Sequence, residues 1–190
     1  MAARDNLIAA TVELLWERGY GAVSPAMIQE RAGAGQGSMY HHFSGKADLA
    51  AAAARELAAG LRRDTEAALS TGATAVERVS AFLDLERLPL RGCRLGRLVQ
   101  EPDVLASPAL YEVIQTFFAW LHQRLREVLA AGRAAGELRA DTDDAQVAAL
   151  VLAAVQGGYV LARALHDESL YRNAVEAAKR AVRELSAAPS

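Results

Sequence analysis

Residues 36–46, reading QGSMYHHFSGK, gather an amide, a phenol, two imidazoles and an ammonium around bare glycine backbone. Groups of these types hydrogen-bond phosphate oxygens and the donor and acceptor edges of bases in a major groove. On a helix over residues 36–43, Met39 and Phe43 stand four apart and point together toward a core. Gln36 and Tyr40 share another face, with Gly37 and His41 beside them, and that outward face has no aliphatic side chain. Gly45 and Asp48 fit the cap and third position of the following helix, which puts Lys46 in its first turn. The helix dipole mildly disfavours a cation there. Beside Tyr40 and His41, Lys46 reads as a phosphate clamp rather than a solvated lysine.

A short preceding helix must position these groups. Ser24 can accept from a first-turn amide, and Pro25 suits the first helical position, where its missing N–H is not needed. Met27, Ile28 and Ala32 keep one side apolar, and Gly33 follows where a left-handed cap would end the helix. Two short helices joined by a glycine turn are the outline of a helix-turn-helix. Ahead of them, residues 3–18 repeat Leu7, Ala10, Thr11, Leu14 and Leu15 at helical spacing, with Glu13, Trp16 and Glu17 opposite. Trp16 is expected at the edge of the core, the alternative being a contact with DNA or a partner.

Residues 7–49, through GSMYHHF, the Gly19-Tyr20 pair and Ala32-Gly33, resemble the DNA-binding domain of the tetracycline-repressor-like (TetR) family of bacterial transcription regulators. The resemblance covers about the first quarter of the chain and is specific in combination. It implies that Gln36, Gly37, Tyr40, His41, His42 and Lys46 face DNA and that Ser24 caps its helix near a phosphate. Four positions depart from the family's usual residues. Val23 stands where threonine is common, Gly35 and Gln36 stand where a serine and a basic residue often open the recognition helix, and Gly45 replaces a usual serine. Each removes a hydroxyl or a charge, so the DNA contacts should be few and the target sequence this protein's own.

Composition limits the classes of function. The chain has 190 residues, 52% of them hydrophobic but only 6% aromatic, and a net charge of −2. An aliphatic, alanine-rich core favours packed helices, and a near-neutral balance argues against a protein that coats nucleic acid indiscriminately. In residues 1–49 four basic side chains meet five acidic ones, a net of −1, so salt dependence of DNA binding should be shallow. One cysteine, Cys93, excludes an internal disulfide and a zinc cluster. No metal or cofactor is expected. No run approaches eighteen apolar residues and no secretory leader precedes Arg4, so the expected place is the cytoplasm.

The expected fold is all-α, with a three-helix helix-turn-helix domain at residues 1–49 and a larger helical effector-binding and dimerisation domain at residues 50–190. A long alanine-rich helix over residues 46–70, carrying Arg62 and Arg63 to solvent, joins the two. Thr74 and Glu77 form a capping-box pattern for a helix ending at Pro89. Residues 90–107 read as a loop with one short helix, and Cys93 in it is a buried apolar residue before it is a redox sensor. A helix follows Ser107-Pro108 to about residue 135. The next, over residues 145–165, is apolar almost all round and should be buried on more than one side, which implies a second copy. Its Gly157-Gly158 pair marks a close approach of backbone or space for a ligand. The last helix, over residues 169–186, carries Leu170, Ala174, Ala177, Ala178, Ala181 and Leu185 opposite Glu176, Lys179, Arg180 and Arg183.

A four-helix bundle of the last two helices and their copies would build the homodimer, with Val151, Gly158, Leu161, Leu170, Ala174, Ala178 and Ala181 at the interface. Phe82, Leu85, Phe117, Leu121, Tyr159 and Arg163 are the candidate lining for a mostly apolar small-molecule effector. The function these features imply is a ligand-responsive repressor on a near-palindromic operator. The alternatives are a small helical enzyme built on Cys93 with His122 or His166, and a helical adaptor. The enzyme lacks a spaced acid to orient its imidazole, and the adaptor leaves the polar face of Gln36, Tyr40 and His41 unexplained.

Overall fold

A computed structural model of the chain describes residues 2–187, with the side chains of Ala2 and Gln36 outside that description. The described residues form α1 (Ala2–Arg18), α2 (Pro25–Ala32), α3 (Gln36–His42), α4 (Lys46–Leu69), α5 (Ala75–Leu83), α6 (Pro102–Leu105), α7 (Pro108–Ala134), α8 (Asp144–Leu165) and α9 (Glu168–Arg183). A 3-10 turn at Leu98–Gln100 precedes α6, so the 90–107 segment holds two short helical turns rather than one. The chain packs as two compact units, residues 1–61 with 93–117 and residues 62–92 with 118–190.

In the first unit α1 packs on α2 and α3. Leu7, Leu14, Ile28, Met39 and Leu49 are fully buried there, and from the later segment so are Leu95, Leu98, Val104, Leu110 and Ile114. Thr11, buried among them, is satisfied by donating to the Leu7 carbonyl at 2.7 Å. The expected punctuation of α2 is observed. Ser24 accepts from the Met27 amide at 3.3 Å, Pro25 opens the helix and Gly33 closes it at φ 62°. Trp16 is only 5% exposed. The Arg94 guanidinium lies 4.0 Å from its ring centroid and Arg97 donates to its carbonyl. Its indole is therefore covered by its own chain, so Trp16 is buried rather than at the edge of the core, and the alternative contact with DNA or a partner is not made by an exposed ring.

The second unit is held by α8 on α9 and α5 on α9. The capping box at Thr74 and Glu77 forms as expected. The helix it opens stops at Leu83, not at Pro89, because Arg87 folds back and donates to the carbonyls of Phe82, Leu83 and Leu85 at 2.9, 3.0 and 2.9 Å. A guanidinium on the terminal carbonyls replaces the amides that a longer helix would have supplied. Asp143 caps α8 by accepting from Ala145 and Gln146, each at 3.0 Å. Gly158 does mark a close approach: a Cβ there would stand 3.3 Å from the Tyr171 Cα, whereas Gly157 faces open space.

Gly132 serves α7 in the same way, since a Cβ there would overlap the Ala75 methyl. Neither atom can rotate away. Gly132→Ala is expected to cost about 1–3 kcal/mol through overpacking. In thermal denaturation the midpoint should fall by roughly 2–10 °C for a chain of this size.

Three sequence expectations for this unit need correction. Lys179 is buried, not solvated. Its ammonium pairs with Asp84 and, at 2.8 Å, with Glu176. Burial alone would depress its pKa, but those two carboxylates outweigh it and hold the pKa above the ordinary lysine value. Arg62 places its guanidinium 4.9 Å from the Trp120 ring centroid, whereas Arg63 is exposed as expected. Finally, α8 is by length and composition apolar enough to cross a membrane, contrary to the reading that no such run exists. Its valines and leucines supply most of that apolar character, while Gly158 allows close packing on α9.

Candidate nucleic-acid interface

The recognition face depends on two anchors. Met39 is completely buried and Phe43 nearly so, which seats the short α3 on α1 and α2. With that side fixed, Gly37, Tyr40, His41 and His42 are exposed, Tyr40 by 59%. The two imidazoles stack edge to face with ring centroids 4.9 Å apart. Gln36 opens the helix on the Gly35 cap, which supplies no side-chain hydrogen bond. The Gln36 side chain lies outside the described residues.

Lys46 opens α4, and its placement explains why a cation tolerates a helix N-terminus. Its Nζ stands 4.2 Å from the Tyr20 ring centroid, where the negative face of the ring offsets the unfavourable dipole. Asp48 turns back on Ser44, accepting from its amide at 3.0 Å and its hydroxyl at 3.3 Å, so the α3–α4 corner is locked. Arg4 was not among the expected contacts. It is exposed and its guanidinium sits 5.6 Å from the Phe43 ring centroid, adding a cation at the end of α3. Nothing in the helix-turn-helix pattern signals it, because α1 meets α3 only through the fold.

The acidic balance of residues 1–49 is largely taken up internally. Glu17 accepts from Arg31 at 3.1 and 3.3 Å, and Glu13 lies 3.9 Å from Arg94. Asp5 lies 3.9 Å from Arg4. The outward groups on α3 are thus hydrogen-bonding tips, with Arg4 and Lys46 adding positive charge beyond its C-terminal end.

The dimer candidates divide. Leu161 is 48% exposed, and Leu170, Ala174 and Ala181 are half-buried. Val151, Gly158 and Ala178 are buried in the chain's own α8–α9 contact, which corrects their placement on a partner surface. The stripe of α9 that α8 and α5 cover is Tyr171, Val175, Ala178 and Val182. Tyr171, Val175 and Val182 bury more apolar area than Ala174, Ala177 and Ala181, and so they win the interior, with Ala178 among them. Of the effector candidates, Phe82 and Leu121 are buried in the second unit and Leu85 is half-buried. Tyr159 stacks on Tyr171 with centroids 4.9 Å apart. Arg163 is exposed, its stem beside Gly92, and Phe117 is buried in the first unit.

Residues 7–53 match the family model for bacterial regulatory proteins of the tetR family, and residues 73–178 match that for the tetracyclin repressor-like C-terminal domain. The chain belongs to the TetR family and is a transcriptional regulator with a DNA-binding helix-turn-helix, not an enzyme. The transcriptional regulator AcuR of Cereibacter sphaeroides is 30% identical over 148 residues, covering 74% of this chain and 67% of that protein. A TetR transcriptional regulator from Chloroflexus aurantiacus has a TM-score of 0.85 at 26% identity, covering 97% of this chain and 96% of that one. The regulatory protein TetR from Rhodobacter sphaeroides gives 0.77 at 27% identity, covering 98% and 100%.

Proposed function

We propose that the protein is a cytoplasmic, ligand-responsive repressor that binds a near-palindromic operator as a homodimer. In this reading residues 1–49 read DNA, and residues 50–190 pair two copies and take up the effector. The observation that carries it is the polar, aliphatic-free outward face of α3, held rigidly by Met39 and Phe43. Tyr40, His41, His42, Gly37 and Gln36 meet DNA from that face, Lys46 clamps a phosphate and Ser24 lies near another. Two such helices would enter successive major grooves about 34–36 Å apart.

Dimerisation follows from what α8 leaves uncovered. Leu150, Leu161 and Leu165 lie on one side of it, with Val160 adjoining, and all are about half exposed or more. With Leu170, Ala174 and Ala181 alongside, they form the surface that a second copy covers. The effector is a mostly apolar small molecule held in the helical body, with Phe82, Leu85, Leu121 and Tyr159 as candidate contacts and Arg163 for a polar or acidic group. It releases DNA only through a difference in affinity between the two conformations. A coupling of about 1–3 kcal/mol weakens operator binding roughly five- to a hundredfold.

Titration of the protein against duplex from upstream of its own gene tests this reading. Tyr40→Ala is expected to weaken binding to that duplex and to a random one alike, as a lost phosphate contact should. Gln36→Ala is expected to relax preference at one operator position. Failure of the unaltered protein to prefer its own upstream duplex would contradict the reading.

A further inference from the structure

The 93–107 segment reaches back to the turn between α1 and α2 through two carboxylates. Glu101 accepts from the Tyr20 amide at 3.1 Å and from the Gly21 amide at 2.9 Å. The approach depends on Gly19, at φ 82°, where a Cβ would stand 2.5 Å from the Glu101 Oε1. Burial and the nearby Asp103 carboxylate hold the Tyr20 phenol above its ordinary pKa, a hydrogen bond with the Ser107 side chain opposing them. The backbone of Tyr20 is therefore fastened to that segment, and its ring face carries the Lys46 ammonium.

We propose that Tyr20 is a positioning residue for DNA binding, its ring holding the Lys46 ammonium where it meets a phosphate, and that Glu101 sets the ring by fastening the Tyr20 and Gly21 amides. This rests on the reading of Lys46 as a phosphate contact. A lysine stem has many rotamers, and immobilising it at the moment of binding costs affinity. A cation already seated on a ring has lost most of that freedom beforehand. The face of a ring also leaves the outer hydrogens of the ammonium available to an anion, which a carboxylate partner would not. Glu101 acts at one remove, through the turn that Gly19 makes possible.

A double-mutant cycle on a random-sequence duplex, titrated over a range of salt, tests the assignment. Lys46→Met is expected to lower the slope of log affinity against log salt by about one per protomer. Tyr20→Leu should weaken binding about three- to tenfold and lower the slope likewise, yet add nothing in the Lys46→Met background. Tyr20→Phe keeps the ring and should bind nearly as the unaltered protein does. Glu101→Gln keeps one acceptor but sets its NH2 against the other backbone amide, and should behave as a milder Tyr20→Leu, again only while Lys46 is present. If Tyr20→Leu does not fold, the Glu101→Gln cycle decides. Additive losses, or a Tyr20→Phe variant as weak as Tyr20→Leu, would overturn the assignment while leaving Lys46 as a DNA contact. A silent Lys46→Met would overturn both.

Discussion

Leu161→Glu is expected to turn the protein into a folded monomer. Leu161 is about half exposed on α8, so a carboxylate there is solvated in the isolated chain and the melting temperature should change little. In a twofold dimer the same position would bury two unpaired charges, each costing about 3–5 kcal/mol. Even the lower figure, counted twice, raises the dimer dissociation constant by roughly ten thousandfold. Sedimentation at micromolar protein should show monomer for this variant and dimer for the unaltered chain, with operator affinity lost alongside. Arg172→Glu, on an exposed position of α9, should leave the dimer in place. A dimer that survives Leu161→Glu would move the interface off α8.

Met39→Ala should have the opposite signature, an intact dimer that no longer binds DNA. The α3 helix has 7 residues, too few for a helix to persist in water without packing. Its place is set by Met39, fully buried, and Phe43. Truncating a buried methionine to alanine costs about 2–5 kcal/mol, enough to unseat so short an element. Met39→Leu conserves volume and should cost less than about 1.5 kcal/mol, with DNA binding retained. Sedimentation and duplex titration on the two variants separate the outcomes. Normal DNA binding by Met39→Ala would mean that α3 is held by something other than its core contacts.

What could be read from the residues alone was whatever acts over one or two turns of helix. Ser24, Pro25 and Gly33 announce α2 because caps are local, and the Thr74–Glu77 box announces α5 for the same reason. Met39 and Phe43 were legible because a spacing of four places them on one side. Gly158 was legible as a close approach, though its neighbour Tyr171 was not.

Most of the failures are long-range, the end of α5 excepted. Arg87 ends α5 by reaching back to carbonyls that a periodicity reading counts as already satisfied. Lys179 looks like a solvated residue of α9 until Asp84, 95 positions earlier in the chain, supplies its partner. The alanine stripe of α9 lost the interior to Tyr171, Val175 and Val182 because side-chain size, and not only spacing, decides which face is buried. The fastening of Tyr20 by Glu101 spans 81 positions and has no signature in either segment. The helix-turn-helix was therefore visible in outline, while the contacts that hold its Lys46 and Tyr20 became visible only when the 93–107 segment was seen to pack in the same unit.

Selection of bound sites from a pool of random-sequence duplexes measures most directly whether α3, doubled by a twofold axis, reads DNA. Enriched sequences should carry two inverted half-sites with centres about one helical turn apart. They should bind at least about a thousandfold more tightly than unselected duplex. A pool that shows no enrichment, or one that yields a single half-site without its inverted copy, would contradict the paired recognition helices.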